Sequence, residues 1–208
     1  MATESVPAGT TRGRPRSEKA RKAVLHAAIE LLEKEGYRAT TIEAIAAKSG
    51  VAKTTIYRWW PNRGALVVEL LMELAAQVAP PPTGKDPVRG LRTELNEVGA
   101  AMEALPGRVL GSLVGEAQHD AELRDTLLHG LFHPRRAASA KVFREGQEAG
   151  LFRKDVAPLT ATELMFAPVF YRGIVRQEPV TQAFVKEVFE AAMHGLEAEK
   201  KPTKRRRR

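Results

Sequence analysis

VAKTTIYRWWPNRGALV, residues 51–67, decides how the rest of the chain is read. Wound as a helix at about 100° per residue, it puts Ala52, Ile56 and Trp60 on one stripe, because they are four apart. That stripe is expected to face a core. Thr54, Tyr57 and Arg58 fall on the opposite arc with Thr55 at its flank, and Lys53 stands at the helix N-terminus, where its long side chain can swing outward. Just upstream, IEAIAAK (42–48) has the spacing of a short helix that Thr40 or Thr41 can cap. Ser49-Gly50 then turns the chain, glycine being free to take the left-handed backbone conformation of a tight helix–helix turn. Two short helices across such a turn, the second opening on hydroxyls and cations, form the geometry that enters a DNA major groove. Thr and Tyr hydroxyls suit phosphates, and Arg and Lys suit guanine O6/N7 or phosphate. The competing reading is a polar solvent face on an ordinary helical hairpin.

Helical spacing continues in both directions. Val24, Leu25, Ala28, Ile29 and Leu32 predict a first helix from Glu18, with Ser17 as N-cap and Gly36 as its stop. After Pro61 a longer helix is expected from Asn62 to Val78, ended by PPPTGKDP (80–87), which marks an internal boundary. Beyond it lie amphipathic segments near residues 88–104, 108–118, 121–132, 134–149, 160–177 and 181–200, most of them separated by Pro, Gly or Asp. No alternating β-branched run suggests a sheet, so the expected fold is all-α.

Composition narrows the function. The 208-residue chain has no cysteine, which excludes disulfides, thiolate zinc sites and cysteine nucleophiles and fits a reducing cytoplasm. MATESVPAGT lacks the apolar stretch of a secretory signal, and no later run approaches the ~20 apolar residues that span a bilayer. A cytoplasmic protein without membrane contact is expected. The net charge of +8 is uneven: residues 1–63 carry 12 Lys/Arg against 6 Asp/Glu, residues 200–208 carry 7 against none, and the stretch between is acidic. Basic ends on an acidic body suggest a polyanion partner. His129 and His133 are four apart, but nothing beside them completes a metal site, and no metal or other cofactor is expected. No G-x-S-x-G, H-E-x-x-H, P-loop or dinucleotide fingerprint is present, which points away from an enzyme.

The stretch TTIEAIAAKSGVAKTTIYRWWPNRGALV, with EGYRATT before it, resembles the DNA-binding domain of the TetR family of bacterial transcriptional regulators over about Ala20 to Leu70. Gly36, Tyr37, Thr41, Ile45, Ala46, Gly50, Val51, Ile56, Tyr57, Trp60 and Leu66 stand at the family's characteristic places. The resemblance implies that Lys53, Thr54, Thr55, Tyr57 and Arg58 face the groove, that Trp59 meets the backbone at its edge, and that Thr41 and Arg63 clamp phosphates. Trp59 stands where the family often has histidine, Trp60 where it often has phenylalanine, and Arg63 where lysine is common. In TTRGRPRSEKARK, Gly and Pro are expected to keep RGRPR extended, so that Arg12, Arg14 and Arg16 can lie along a minor groove. RGRPR also resembles an AT-hook core, and a solvated tail is the plainer alternative.

The implied layout is a basic flexible arm (1–17), a three-helix helix-turn-helix domain (18–63, its connecting helix reaching about 79), a larger helical domain for effector binding and dimerisation (80–199) and a basic tail (200–208). Apolar stripes on the last two helices, Leu164, Phe170, Val185, Val188, Phe189, Ala192 and Leu196, are expected to form the dimer interface, a purely intramolecular core being the alternative. Met102, Leu113, Phe143, Phe166 and Tyr171 are candidate pocket residues for an unidentified small-molecule effector. The expected function is a homodimeric repressor that binds a palindromic operator in double-stranded DNA and is released by its effector. A weakly sequence-specific architectural DNA-binding protein is the alternative.

Overall fold

The computed structural model describes residues 14–78 and 86–198. The chain is all-α: among the described residues the one extended pairing is an isolated bridge between Phe152 and Glu197. It divides into two compact units, Met1–Leu66 and Val67–Arg208.

The smaller unit contains α1 (Arg14–Ala39), α2 (Ile42–Ser49), α3 (Lys53–Trp59) and the first turn of α4 (Arg63–Val78). Helix α1 begins earlier than Ser17 implies. Its first turn contains Pro15, which is tolerated there because the missing N–H would have no intrahelical acceptor anyway. Arg14 and Arg16 are therefore helical where an extended arm was expected, and Arg12 lies outside the described residues. Gly36, at φ 77° and ψ 178°, breaks α1 before a last half-turn to Ala39. The unit's core comprises Val24, Leu25, Ala28, Leu31 and Leu32 of α1 with Ile42, Ile45, Ile56 and Trp60, all buried. Ala52, placed on the core stripe by spacing, is exposed: it is the N-cap of α3 and precedes the part of the helix that packs.

The larger unit holds the rest of α4 and α5 (Pro87–Glu103), α6 (Leu105–Ala117), α7 (Ala121–Leu127), α8 (His133–Glu148), α9 (Pro158–Phe170) and α10 (Gln182–Leu196), with π-helical turns at Leu128–Phe132 and Tyr171–Val175. The two units divide inside α4, between Leu66 and Val67, and Val67, Val68, Leu70 and Leu71 just beyond that point are all buried. Asp86 caps α5 by accepting the Arg89 N–H at 3.0 Å.

Leu91, Leu95 and Val98 of α5, Phe143 of α8, Met165 and Val169 of α9, and Val185, Phe189 and Met193 of α10 form the core of this unit. The α10 stripe expected at a dimer interface is thus largely spent within the chain. Val185, Val188, Phe189 and Leu196 are buried in one copy, because α5 and α9 cover that side of α10. Close packing also needs glycine at 146, where an added Cβ would stand 2.3 Å from two ring atoms of Phe152. Backbone bonds from Arg153 N to Leu196 O (2.9 Å) and Ala198 N to Leu151 O (3.0 Å) then fasten the α8–α9 connection to the end of α10.

Candidate nucleic-acid interface and ligand cavity

In the smaller unit, α2 and α3 are set by local chemistry. The Thr41 hydroxyl caps α2 by accepting the Ala44 N–H at 3.1 Å, which leaves its own O–H hydrogen available to donate. Gly50 takes the left-handed conformation (φ 69°) and returns its N–H to Ala46 O at 3.0 Å, closing α2 and launching α3. Ile56 and Trp60, 0% and 2% exposed, hold α3 from its inner side. Lys53, Thr54, Tyr57 and Arg58 are then exposed together, and Thr55 and Trp59 are half-buried at the margin. The Trp59 ring stands edge-on to Trp60 at 5.6 Å, so packing occupies one side of it.

Two side chains have engagements that spacing does not reveal. Lys53 Nζ lies 3.2 Å from Glu43 Oε1 of α2. Glu43 is held below its ordinary carboxylate pKa, first by its own backbone N–H and then by Lys53. Arg63, expected as a phosphate clamp, is a tie within the unit. Its guanidinium stacks 4.0 Å over the Tyr37 ring, and Nη1 donates to the carbonyls of Tyr37 and Arg38, both at 3.3 Å, where α1 runs out of intrahelical donors.

The larger unit has a half-open cavity of about 510 Å³ among α4, α5, α6, α8, α9 and the two π-helical turns, within the range of small-molecule sites. Met102, Phe166 and Tyr171 line it, as does Phe170, a residue expected at the dimer interface. Leu113 and Phe143 do not. Both are fully buried elsewhere, Phe143 against Phe152 at 5.2 Å between ring centres. The walls are apolar apart from a group gathered about one turn of α8: Arg135, Arg136 and Ser139, with Glu94 of α5 and with Thr162 and Glu163 of α9.

Glu94 is 3% exposed and takes the Ser139 hydroxyl at 2.9 Å to either carboxylate oxygen. Burial pushes its pKa up to about 7, against the opposing pull of Ser139 and Arg135, and Glu97 adds to the rise. Arg136 pairs with Glu163 through Nη2, while its Nε is buried with no acceptor. None of these polar residues was singled out from the sequence. The signal was there in Glu94, which falls three, one and four residues from Leu91, Leu95 and Val98 and so interrupts the apolar stripe of α5.

Of the other interface candidates, Leu164 is 54% exposed and Ala192 is half-buried. Tyr171 and Val175 are also exposed, at 57% and 67%, leaving an apolar edge along α9 and the turn after it. His129 and His133 stack edge-to-face at 5.0 Å, and among the described residues no group of three or more His, Cys, Asp or Glu is placed to hold a metal. No described helix is long and apolar enough to cross a membrane.

Known proteins share both units. Residues 24–70 match the bacterial regulatory proteins of the tetR family, and residues 80–192 match the tetracyclin repressor-like C-terminal domain. The HTH-type transcriptional regulator YdeS of Bacillus subtilis (strain 168) is 30% identical over 187 residues, which cover 90% of this chain and 94% of that protein. The DNA-binding transcriptional repressor TetR of Mycobacteroides abscessus is 31% identical over 126 residues, covering 57% and 63% of the two chains. The crystal structure of the TetR family transcription regulator SCO0332 aligns with a TM-score of 0.72 at 34% identity, over 85% of this chain and 98% of that one. With an exposed cationic α3 behind a glycine turn and a helical unit built around an apolar cavity, the chain belongs to the tetR family of bacterial transcriptional regulators and is a DNA-binding regulator of the helix-turn-helix type.

Proposed function

We propose that the protein is a homodimeric repressor that binds a palindromic operator and leaves it when a small molecule occupies the cavity. The observation that carries this reading is the outward face of α3, where Lys53, Thr54, Tyr57 and Arg58 are exposed together on a helix anchored by Ile56 and Trp60. In this reading Lys53 and Arg58 read base edges. Tyr57 and the Thr41 O–H donate to phosphates, Thr54 and Thr55 lie along the groove wall, and Trp59 packs at its edge. The effector acts by differential affinity for DNA-competent and DNA-free states. The cavity receives Leu71 and Ala75 from α4, the same helix whose first turn carries Arg63.

A second copy is supported by the exposed Leu164 of α9 with Tyr171 and Val175 of the turn after it, the last two also at the rim of the cavity, more than by the α10 residues that one chain already buries. Such a dimer presents two reading heads and calls for two half-sites. The protein would work in the cytoplasm, where its DNA is, and no catalytic step is assigned to it.

The test is selection of genomic fragments by the purified protein at near-physiological salt, beside a variant with Lys53, Tyr57 and Arg58 all changed to Ala. A short palindrome recovered by the parent and lost by the variant is the expected result. Fragments with no shared site, recovered equally by both, would replace the repressor with a weakly specific architectural protein.

A further inference from the structure

The cavity is apolar along most of its wall and strongly polar at one place, and the polar groups there are incompletely matched. Glu163 is already committed to Arg136. Arg136 nevertheless keeps a buried Nε–H with no acceptor. The Glu94 carboxyl shares one hydrogen bond with the Ser139 hydroxyl, which also stands 3.2 Å from Arg135 O, and this leaves the carboxyl capacity for another. Unmade hydrogen bonds on buried groups are costly, so this part of the wall favours an occupant that supplies the missing partner.

The sign of that partner follows from the charges. Arg135 and Arg136 of α8 stand against Glu163 of α9 and Glu94 of α5. Glu94 holds its proton to about pH 7, so at and below neutrality it is a neutral carboxyl that can donate rather than a second anion beside Glu163. Glu97 on its own helix and Arg135 on α8 are the charges that act on Glu94 through space. Around the rest of the cavity α4 and α6 contribute apolar side chains, and the turn after α9 adds the phenol of Tyr171. A cation would meet a site whose buried unpaired group is a guanidinium N–H.

We propose that the cavity binds an amphipathic carboxylic acid, its apolar body against the α5, α6 and α9 walls and its carboxylate on Arg136 Nε and the Glu94 carboxyl. This rests on the reading of the cavity as the effector site. Two oxygens of a carboxylate would face one guanidinium N–H and one carboxylic O–H. Because that arrangement needs Glu94 protonated, binding takes up a proton once the pH exceeds the carboxyl's own pKa. Affinity should then fall as pH rises from 7 to 8.5, approaching about tenfold per pH unit. A bound cation would show the opposite trend.

The test is calorimetric titration of the full-length protein with decanoate, decanamide and decylamine, and with 2-naphthoate, 2-naphthamide and 2-naphthylmethylamine, at pH 6.5, 7.5 and 8.5. Each titration is run in two buffers of different ionisation enthalpy. The carboxylates are expected to bind at least about tenfold tighter than the amides, as a charge-assisted hydrogen bond to a buried donor requires. They should take up close to one proton at pH 8.5. Arg136→Gln should erase the preference over the amides, and Glu94→Gln should keep binding but lose the proton uptake. Glu163→Gln, which frees Arg136 of its built-in carboxylate, should tighten carboxylate binding several-fold, so the proposal does not hang on one variant folding well. Amides binding as tightly as carboxylates, or amines binding tighter and gaining affinity with pH, would overturn the acid assignment and leave the cavity as the effector site. No binding by any of the six would overturn the effector reading beneath it.

Discussion

Glu94→Gln should make the protein more stable at pH 8 and change little at pH 5. The folded chain holds the Glu94 proton up to about pH 7, whereas the carboxyl's ordinary value is 4.5. Folding therefore takes up a proton between those limits, and stability falls as pH rises across the same window. Below it both states are protonated and the group is neutral in its effect; above it the full cost of a buried carboxylate is present. At about 1.4 kcal/mol per pH unit the interval amounts to about 3 kcal/mol. Glutamine is neutral at every pH and still offers the Ser139 hydroxyl an acceptor. Relative to the parent its gain should be small at pH 5 and reach about 3 kcal/mol at pH 8. For a unit of this size that is about 6–12 °C in Tm. Thermal melts of parent and variant followed by helical circular dichroism at pH 5, 6, 7 and 8 measure the difference directly. Parallel curves, offset equally at every pH, would refute the assignment of this proton to Glu94. A variant that loses stability most at pH 8 would mean that the carboxylate is the form the fold prefers.

Three further outcomes are expected. Gly146→Ala should lower the urea midpoint by an amount equivalent to about 1–3 kcal/mol, because the new methyl would stand 2.3 Å from Phe152 ring atoms, and Phe152→Leu should recover part of the loss. Thr41→Ala should cost about 1 kcal/mol through the lost α2 cap and also weaken DNA binding across sequences, whereas Thr41→Ser, which keeps both oxygen and hydrogen, should do neither. Glu43→Gln releases Lys53, and fluorescence anisotropy with a random duplex should show about two- to fivefold tighter nonspecific binding.

Where a residue's role follows from its position on its own helix, the sequence reads well. Ile56 and Trp60 share a stripe and are buried, Thr41 precedes a helix and caps it, and Gly50 takes the left-handed turn. Roles that depend on which partner an apolar or charged group meets read poorly. The α10 stripe is evident from spacing, but burial against α5 and burial against a second copy call for the same residue types, so spacing alone does not tell that Val185, Val188, Phe189 and Leu196 are already buried within one chain. Arg63 is similar: a cation opening a helix suits a phosphate, and it suits the carbonyls at the end of α1 equally well. The division inside α4 leaves no mark in the sequence, because the helix crosses it with apolar residues on both sides, Leu66 before and Val67, Val68, Leu70 and Leu71 after. Glu94 could have been found, since a carboxylate in register with Leu91, Leu95 and Val98 is out of place on a buried face.

Both tryptophans of the chain sit side by side at the end of α3, one buried and one half-buried, and the cavity wall contains neither. Ultraviolet emission excited at the indole band is therefore a private optical channel of the reading head. Docking on an operator should register through Trp59, whose surroundings change, more than through Trp60. A ligand seated in the cavity touches no indole, so any shift in emission that it produces is a signal that has travelled, read out without a label.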